Sequence, residues 1–263
     1  TATTTGTLTV DVAAVADEAD LTLTDVSGTE DQAISLNIGV TADDDIASVT
    51  LSDIPSGATL TYVDGNGATQ EITIDGTSVD LSTDQLNGLQ ITPPADSDAD
   101  FTLGVSATTT DGNDSATVSG TMDVSVAADA DAPTLNLSDG AGAEDTAIAL
   151  DITSALTDTD GSEDLSITIG DIPEGSTLSY VDSAGATQEI TIDGTTAQLD
   201  PDQLNGLQIT PPDNFDGSFD LSISATSTEE NGGDTATTTG TLTVDVAAVA
   251  DEADLTLTDV SGT

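Results

Sequence analysis

Residues 1–29, TATTTGTLTVDVAAVADEADLTLTDVSGT, return letter for letter at 235–263. The two copies are 234 residues apart, and a shorter echo lies between them. GATQEITIDGT at 67–77 reappears at 185–195, and DQLNGLQITPP at 84–94 reappears at 202–212, both shifted by 118 residues. GTEDQAISL at 28–36 is matched by GAEDTAIAL at 142–150 with a shift of 114, so the second copy carries a four-residue insertion. Repetition of this kind restricts the chain to an array of similar units, each with its own core. Each unit is about 110–120 residues long. Complete units are expected at 20–131 and 132–250. Residues 1–19 then read as the last strand and linker of a preceding unit, and 251–263 as the first strand of a following one. The chain would repeat its opening because it starts and stops out of phase with its units. The end strands, with Leu8, Val10 and Val12 at one end and Leu255 and Leu257 at the other, are expected to fray in dilute solution.

The hydrophobic period is two. In TGTLTVDV, Leu8, Val10 and Val12 share one face; in AISLNI it is Ile34, Leu36 and Ile38. FTLGVSA does the same with Phe101, Leu103, Val105 and Ala107, and TMDVSV with Met122, Val124 and Val126. This is the pattern of half-buried strands, and Thr fills the outward positions, where a β-branched polar residue suits a wet pleated face. Gly65, Gly67, Asp75-Gly76 and Asp193-Gly194 mark turns. One short helical turn is expected in each unit. In the second, Asp200 is the N-cap, Pro201 the first helical residue and Gly206 the stop. Seven or so short strands per unit predict an all-β sandwich. With 2% aromatic residues, its core must be built from Val, Ile, Leu and Ala.

Charge narrows the partners. The chain has 50 Asp and Glu and no Lys, Arg, His or Cys, for a formal net charge of −50. No two side chains can form an ion pair. Such charge usually accompanies disorder, but 36% of these residues are hydrophobic and patterned, so the chain should fold once its repulsion is relieved. Nucleic acid and anionic membranes are excluded as partners, since both are held by Lys and Arg. No apolar run approaches the roughly 18 residues of a membrane span, and no secretory signal is present, as expected of an internal stretch. Divalent cations are the obvious candidates to relieve the repulsion.

The acids fall in clusters. Three joints, VDVAAVADEADLTL at 10–23, VSVAADADAPTLNL at 124–137 and the first again at 244–257, each carry spaced acids leading into the next strand: Asp17 and Asp20, Asp129 and Asp131, Asp251 and Asp254. With strands running alternately up and down, the turn after the first strand lies at the bottom of a unit and holds Glu30 and Asp31, or Glu144 and Asp145. The next turn lies at the top. In the second unit it reads LTDTDGSEDL, with Asp158, Asp160 and Glu163. Oxygens two residues apart can converge on a Ca²⁺ that takes 6–8 oxygen ligands. The first unit has Asp43, Asp44 and Asp45 in the same place, and the turn before the last strand adds Asp111 or Glu229. Calcium is therefore expected where the bottom of one unit meets the top of the next. Asp96 and Asp98, in PPADSDADF, are evenly balanced between solvated surface and ligand.

GTEDQAISL and GAEDTAIAL, ALTDTDGSEDLSITI, DIPEGSTLSY, ITPPADSDADFTL and GTLTVDVAAVADEADL together cover the chain. In these stretches it resembles the extender region of a giant bacterial RTX adhesin, the biofilm type with tandem cadherin-like repeats. The resemblance implies cadherin-like or Ig-like β-sandwich domains joined end to end by short calcium-binding linkers. It also implies type I secretion and a place outside the cell, on the surface of a Gram-negative bacterium. In the cadherin pattern the glutamate after the first strand and the linker acids bind calcium with acids of the next domain, which maps here onto Glu30, Asp129, Asp131, Asp158 and Asp160. Two departures alter the expectation. The outer linkers lack the proline found at Pro133, and TADDDIAS lacks the glycine of DTDG, so the first unit's upper site is expected to hold fewer ions. The glycine-rich nonapeptide of RTX proteins does not occur in these residues.

The function this implies is a non-catalytic spacer, stiffened by Ca²⁺ at its joints, that projects a distal ligand-binding tip. Its partners are calcium ions and neighbouring repeats of the same chain. It makes no direct membrane contact and is monomeric in solution, with head-to-tail contacts through the end strands open to it in a dense sample. An enzyme is disfavoured. A carboxylate pair could serve glycoside hydrolysis, but His, Cys and Lys are absent and there are only two Tyr and three Phe. The alternative is an adhesive module binding carbohydrate or ice. Pockets want apolar and aromatic linings, and the Thr residues are spread over every strand instead of forming one regular ladder.

Overall fold

The computed structural model describes residues 2–230, 232–251, 255 and 256. The chain divides into two compact units, Thr1–Asp129 and Ala130–Thr263. Among the described residues it is almost all β, with one 3₁₀ turn in each unit.

Unit 1 contains β1 (Asp20–Leu23), β2 (Val26–Thr29), β3 (Ile34–Ser35), β4 (Ile38–Thr41), β5 (Asp45–Ser52), β6 (Thr59–Val63), β7 (Thr69–Ile72), β8 (Val79–Leu81), a 3₁₀ turn (Thr83–Leu86), β9 (Gln90–Thr92), β10 (Phe101–Asp111) and β11 (Asp114–Ala127). One sheet has the order β2-β11-β10-β5-β8; facing it are the ladder β3-β9-β6-β7 and the pair β1-β4. The alternation read from sequence sets the buried face. Leu103, Val105 and Ala107 of β10, and Met122, Val124 and Val126 of β11, point into the core, where they meet Ile34, Leu36, Leu60 and Ile91 from the other layer. The core is aliphatic, as the composition requires, with Met122 its one methionine.

The first strand is split. β1 pairs antiparallel with β4, whereas β2 crosses to pair in parallel with β11. An Asp marks the crossing: Asp25 accepts a hydrogen bond from the Asp123 amide at 3.0 Å, satisfying a donor where the strand changes sheets. Close packing accompanies the split, because a Cβ at Gly120 of β11 would lie 2.8 Å from Leu23 of β1.

Unit 2 repeats this plan with β12 (Thr134–Ser138), β13 (Gly140–Ala143), β14 (Ile148–Ala149), β15 (Asp151–Ala155), β16 (Glu163–Gly170), β17 (Thr177–Val181), β18 (Thr187–Ile190), β19 (Ala197–Leu199), a 3₁₀ turn (Pro201–Leu204), β20 (Gln208–Thr210), β21 (Gly217–Glu229) and β22 (Thr235–Ala247). Its large sheet runs β13-β22-β21-β16-β19, with the β14-β20-β17-β18 ladder and the β12-β15 pair opposite. Its core is Ile152, Ile167, Ile169, Leu178, Ile209, Leu221, Ile223, Leu242 and Val244 with their neighbours. Asp139 does for β22 what Asp25 does for β11, accepting from the Thr243 amide at 2.9 Å.

Each unit has more strands than the seven expected, because splitting and bending break several long strands into short ladders. β10, β11, β21 and β22 are long, at 11, 14, 13 and 13 residues. The expected helical turn is a 3₁₀ turn. Asp200 is its N-cap, with the Gln203 side chain accepting from the Asp200 amide at 2.8 Å. Gly206 follows the C-cap Asn205 with φ +63°, and a Cβ there would press on Val181 at 2.8 Å. Residues 2–19 lie in no strand, and Leu8, Val10 and Val12 are exposed. The strand expected at 254–259 lies mostly outside the described residues, Leu257 included, and the described Leu255 is exposed.

Candidate functional site

Most acids in this chain build turns or face water. Asp64 shows the turn-building kind. Its carboxylate accepts from the Asn66 and Ala68 amides at 2.9 and 3.0 Å and from the Gln70 side chain at 3.0 Å. These bonds, the Ala68 amide first, hold its carboxyl below the ordinary value. Asp182 repeats the arrangement, with the Ala186 amide the leading cause and Gln188 next.

The acids at the upper end of unit 2 are different. Glu163 opens β16 and lies directly across the ladder from Glu229 at the end of β21. Both are buried, as is Asp158 in the preceding loop, with exposures of 7%, 1% and 3% respectively. Like charges opposite one another in a sheet are destabilising, and burial multiplies the cost. No Lys, Arg or His exists to offset it. Glu163 accepts from the Asp131 amide at 2.7 Å through one oxygen. Its other oxygen is buried, and what faces it across the ladder is the Glu229 carboxyl. Burial, then the nearby Asp158 and Asp131 carboxylates, push the Glu163 carboxyl above its ordinary value, against the lowering effects of the Asp131 amide and of a hydrogen bond with the Glu229 carboxyl.

The loop is held open around these groups. Asp158 accepts from the Asp160 amide at 2.8 Å and from the Ser162 hydroxyl at 3.3 Å, while Asp160 accepts from the Ser162 amide at 2.7 Å. Gly161 at φ +98° lets the chain turn there. The Ser227 hydroxyl donates to the Asp131 carbonyl, so Asp131 is tied to unit 2 through both its amide and its carbonyl. The cluster offers only carboxylate oxygens, buried and facing one another, which suits a hard divalent cation and calcium in particular.

The upper end of unit 1 holds its leading segment in a parallel way with weaker burial. The Asp17 amide donates to Asp44 at 2.6 Å, the Asp17 carbonyl accepts from the Thr109 hydroxyl, and the Ala16 amide donates to Asp114 at 3.2 Å. Asp44 and Asp111 are half-buried, whereas Asp17, Asp20, Asp43 and Asp45 are exposed. Asp45 occupies the place of Glu163 at the start of its strand, and Asp111 ends β10 as Glu229 ends β21.

At the lower ends, Glu30 is 2% exposed and accepts from the Asp129 amide at 2.7 Å. Glu144, also buried, accepts from the Val249 amide. Asp31 and Asp145, both at positive φ, accept from the amides of Asp96 at 3.2 Å and Asn214 at 2.8 Å. The carboxyl groups of Asp129, Asp160 and Asp251 are on exposed residues, and Asp254 lies outside the described residues.

Sequence reasoning did not single out Thr109 and Ser227, the hydroxyls that hold the linker carbonyls, or Asp114. Thr109 and Ser227 sit inside strands among many similar Thr and Ser residues, and no local signal distinguishes them. An open groove beside the unit 2 cluster is lined by residues including Ser154, Leu156, Leu165, Asp200 and Pro201, and none of its described lining residues is aromatic.

The sequence matches no known family model and no curated protein. Among solved structures it is similar to human protocadherin-24 EC1-2, with 12% identity over 90% of this chain and 100% of that one and a TM-score of 0.42. It is similar to the titin Z1Z2 domains in complex with telethonin, with 14% identity, 90% and 100% coverage and a TM-score of 0.31. The D00-D0 domain of intimin gives 14% identity, 85% and 98% coverage and a TM-score of 0.30. Likenesses this distant carry no conclusion about function. Its own strand order and burial make this chain a tandem of Ig-like or cadherin-like β-sandwiches.

Proposed function

We propose that this chain is a non-catalytic spacer of a bacterial cell-surface adhesin, in which calcium bound by the acids at the unit ends stiffens the linkers. The observation that carries the proposal is Glu163 opposite Glu229, with Asp158 beside them, buried in a chain that has no cationic side chain. A fold would not keep three buried carboxyls together without a proton or a cation to offset them. The ties at Asp131 place the linker backbone against the same acids, so an ion held there also restrains the linker. The motif resemblance supports the finer reading: an RTX-type extender, exported by type I secretion to the surface of a Gram-negative cell, where calcium is abundant. Extracellular modules bind calcium at roughly 10⁻⁴ to 10⁻³ M, which matches that setting.

Small-angle X-ray scattering tests the spacer role. In calcium the particle is expected to have a larger maximum dimension and a narrower cross-section than in chelator. Without the ion, carboxylates within a Debye length of about 10 Å repel and the linker becomes a hinge. An unchanged maximum dimension would reject the stiffening.

A further inference from the structure

One hairpin turn occurs in both units with a single chemical difference that matters. In unit 1, Asp64-Gly65-Asn66-Gly67 leads from β6 toward β7; in unit 2, Asp182-Ser183-Ala184-Gly185 leads from β17 toward β18. Both turns close alike. The Asn66 and Ala184 amides each donate to the leading Asp carboxylate at 2.9 Å, and the Gly67 and Gly185 amides each donate to its carbonyl at 2.9 Å. Unit 2 makes this turn with Ala184, so the turn does not require the Asn66 side chain. That side chain is also the weakest tie in its own turn. The Ala68 amide first, then Gln70 and the Asn66 amide, hold the Asp64 carboxyl below its ordinary value, and the Asn66 side chain contributes least. Residues 65–70 are all exposed, and a Cβ at Gly67, at φ +80°, would meet nothing within 4 Å.

A glycine has no side chain to block its nitrogen, so an Asn-Gly pair leaves the Asn side chain open to attack by its own backbone. Two more described pairs carry the same letters, Asn87-Gly88 and Asn205-Gly206, and the fold ties both down. Each Asn ends a 3₁₀ turn with ψ 115°. The Asn87 side chain donates to the Val63 carbonyl at 3.0 Å while its own carbonyl accepts from the Val63 amide at 2.9 Å. Asn205 is tied to Val181 in the same way, at 2.9 and 2.8 Å. A Cβ at either following glycine would lie 2.8 Å from that valine. We propose that Asn66 is a site of spontaneous modification, where this chain forms a succinimide and then aspartate or isoaspartate. The Gly67 nitrogen gives up its proton to water and attacks the Asn66 Cγ. The bond from Cγ to the side-chain nitrogen breaks, and that nitrogen takes up a proton and leaves as ammonia. One water then opens the ring at either carbonyl, and no oxidant, reductant or cofactor takes part. Attack at Asn66 breaks the Gly67 amide bond to the Asp64 carbonyl at an exposed tip, whereas attack at Asn87 or Asn205 has to break the double tie to a valine. Isoaspartate adds a methylene to the main chain between Asp64 and the Ala68 amide it accepts from; aspartate adds a negative charge beside Asp64. The inference involves no cation and stands apart from the calcium reading.

Ageing the folded chain in calcium at mildly alkaline pH tests this. Peptic peptides are read by mass spectrometry, with electron-transfer fragmentation to tell isoaspartate from aspartate. Asn66 is expected to deamidate at least about tenfold faster than Asn87 and Asn205, the factor that one broken hydrogen bond puts on a rate. Isoaspartate should be among its products. In denaturant the three pairs should react at similar rates, because the ties to Val63 and Val181 are gone. Asn66→Ala, which copies the unit 2 turn, should melt like the parent and give no such product at that turn. Equal rates at the three pairs in the folded chain, the same bias persisting in denaturant, or aspartate formed at Asn66 without isoaspartate would overturn the proposal.

Discussion

Glu163→Gln is expected to raise the melting temperature of unit 2 in chelator and to lower it in calcium. Without an ion, Glu163 and Glu229 oppose each other in a buried ladder position, and the substitution removes one charge while keeping the oxygen that accepts from the Asp131 amide. The new amide also brings a donor to carboxyls that face it. Relief of a buried opposed carboxyl is worth about 1–2 kcal/mol, or roughly 3–9 °C for a unit of this size. With calcium bound, the same change removes a ligand and the sign reverses. The wild-type pH dependence carries the same signature. A carboxyl raised in the folded state binds its proton more tightly there than in the unfolded chain. Its contribution to stability is therefore greatest below the ordinary glutamic acid range and falls as pH rises through that range to the raised value. In chelator, unit 2 should melt higher near pH 4 than near pH 7, and calcium should flatten the difference. A fall in melting temperature for Glu163→Gln in chelator, matching that in calcium, would mean the acid serves the fold directly.

Calcium itself should have a larger effect. An ion that binds only the folded state stabilises it by about 2.7 kcal/mol at a hundred times its dissociation constant. For unit 2 this corresponds to roughly 8–12 °C between chelator and saturating calcium. Asp158→Asn combined with Glu229→Gln should abolish that shift while leaving the chelator melt no lower, because both side chains keep their shape and lose an opposed charge. Scanning calorimetry reads it directly. A calcium shift that persists at full size in the double variant would place the ion elsewhere.

The strands were legible because their faces alternate. Leu103, Val105 and Ala107, and Met122, Val124 and Val126, are buried where the period of two put them. Pairing was less so. The crossing of β2 to β11 joins residues about a hundred positions apart, and its only local mark is Asp25, one acid among many. The same limit applies at the site. DTDG announced a turn rich in oxygen ligands, but that Glu163 stands opposite Glu229 is a matter of register between strands 66 residues apart, and no local pattern encodes it. One segment makes the same point: the same letters are a strand at 235–247, where Leu242, Val244 and Val246 are buried, and lie in no strand at 2–13, where Leu8, Val10 and Val12 are exposed. Period and composition say what a segment can bury. Neighbours decide whether it does.

Calorimetric titration with calcium tests most directly whether the buried acids are an ion site. The wild-type chain should bind calcium with a dissociation constant of roughly 10⁻⁴ to 10⁻³ M, and the Asp158→Asn, Glu163→Gln, Glu229→Gln chain should lose at least one bound ion per chain while still melting cooperatively. Equal stoichiometry and affinity in the two chains would contradict the assignment.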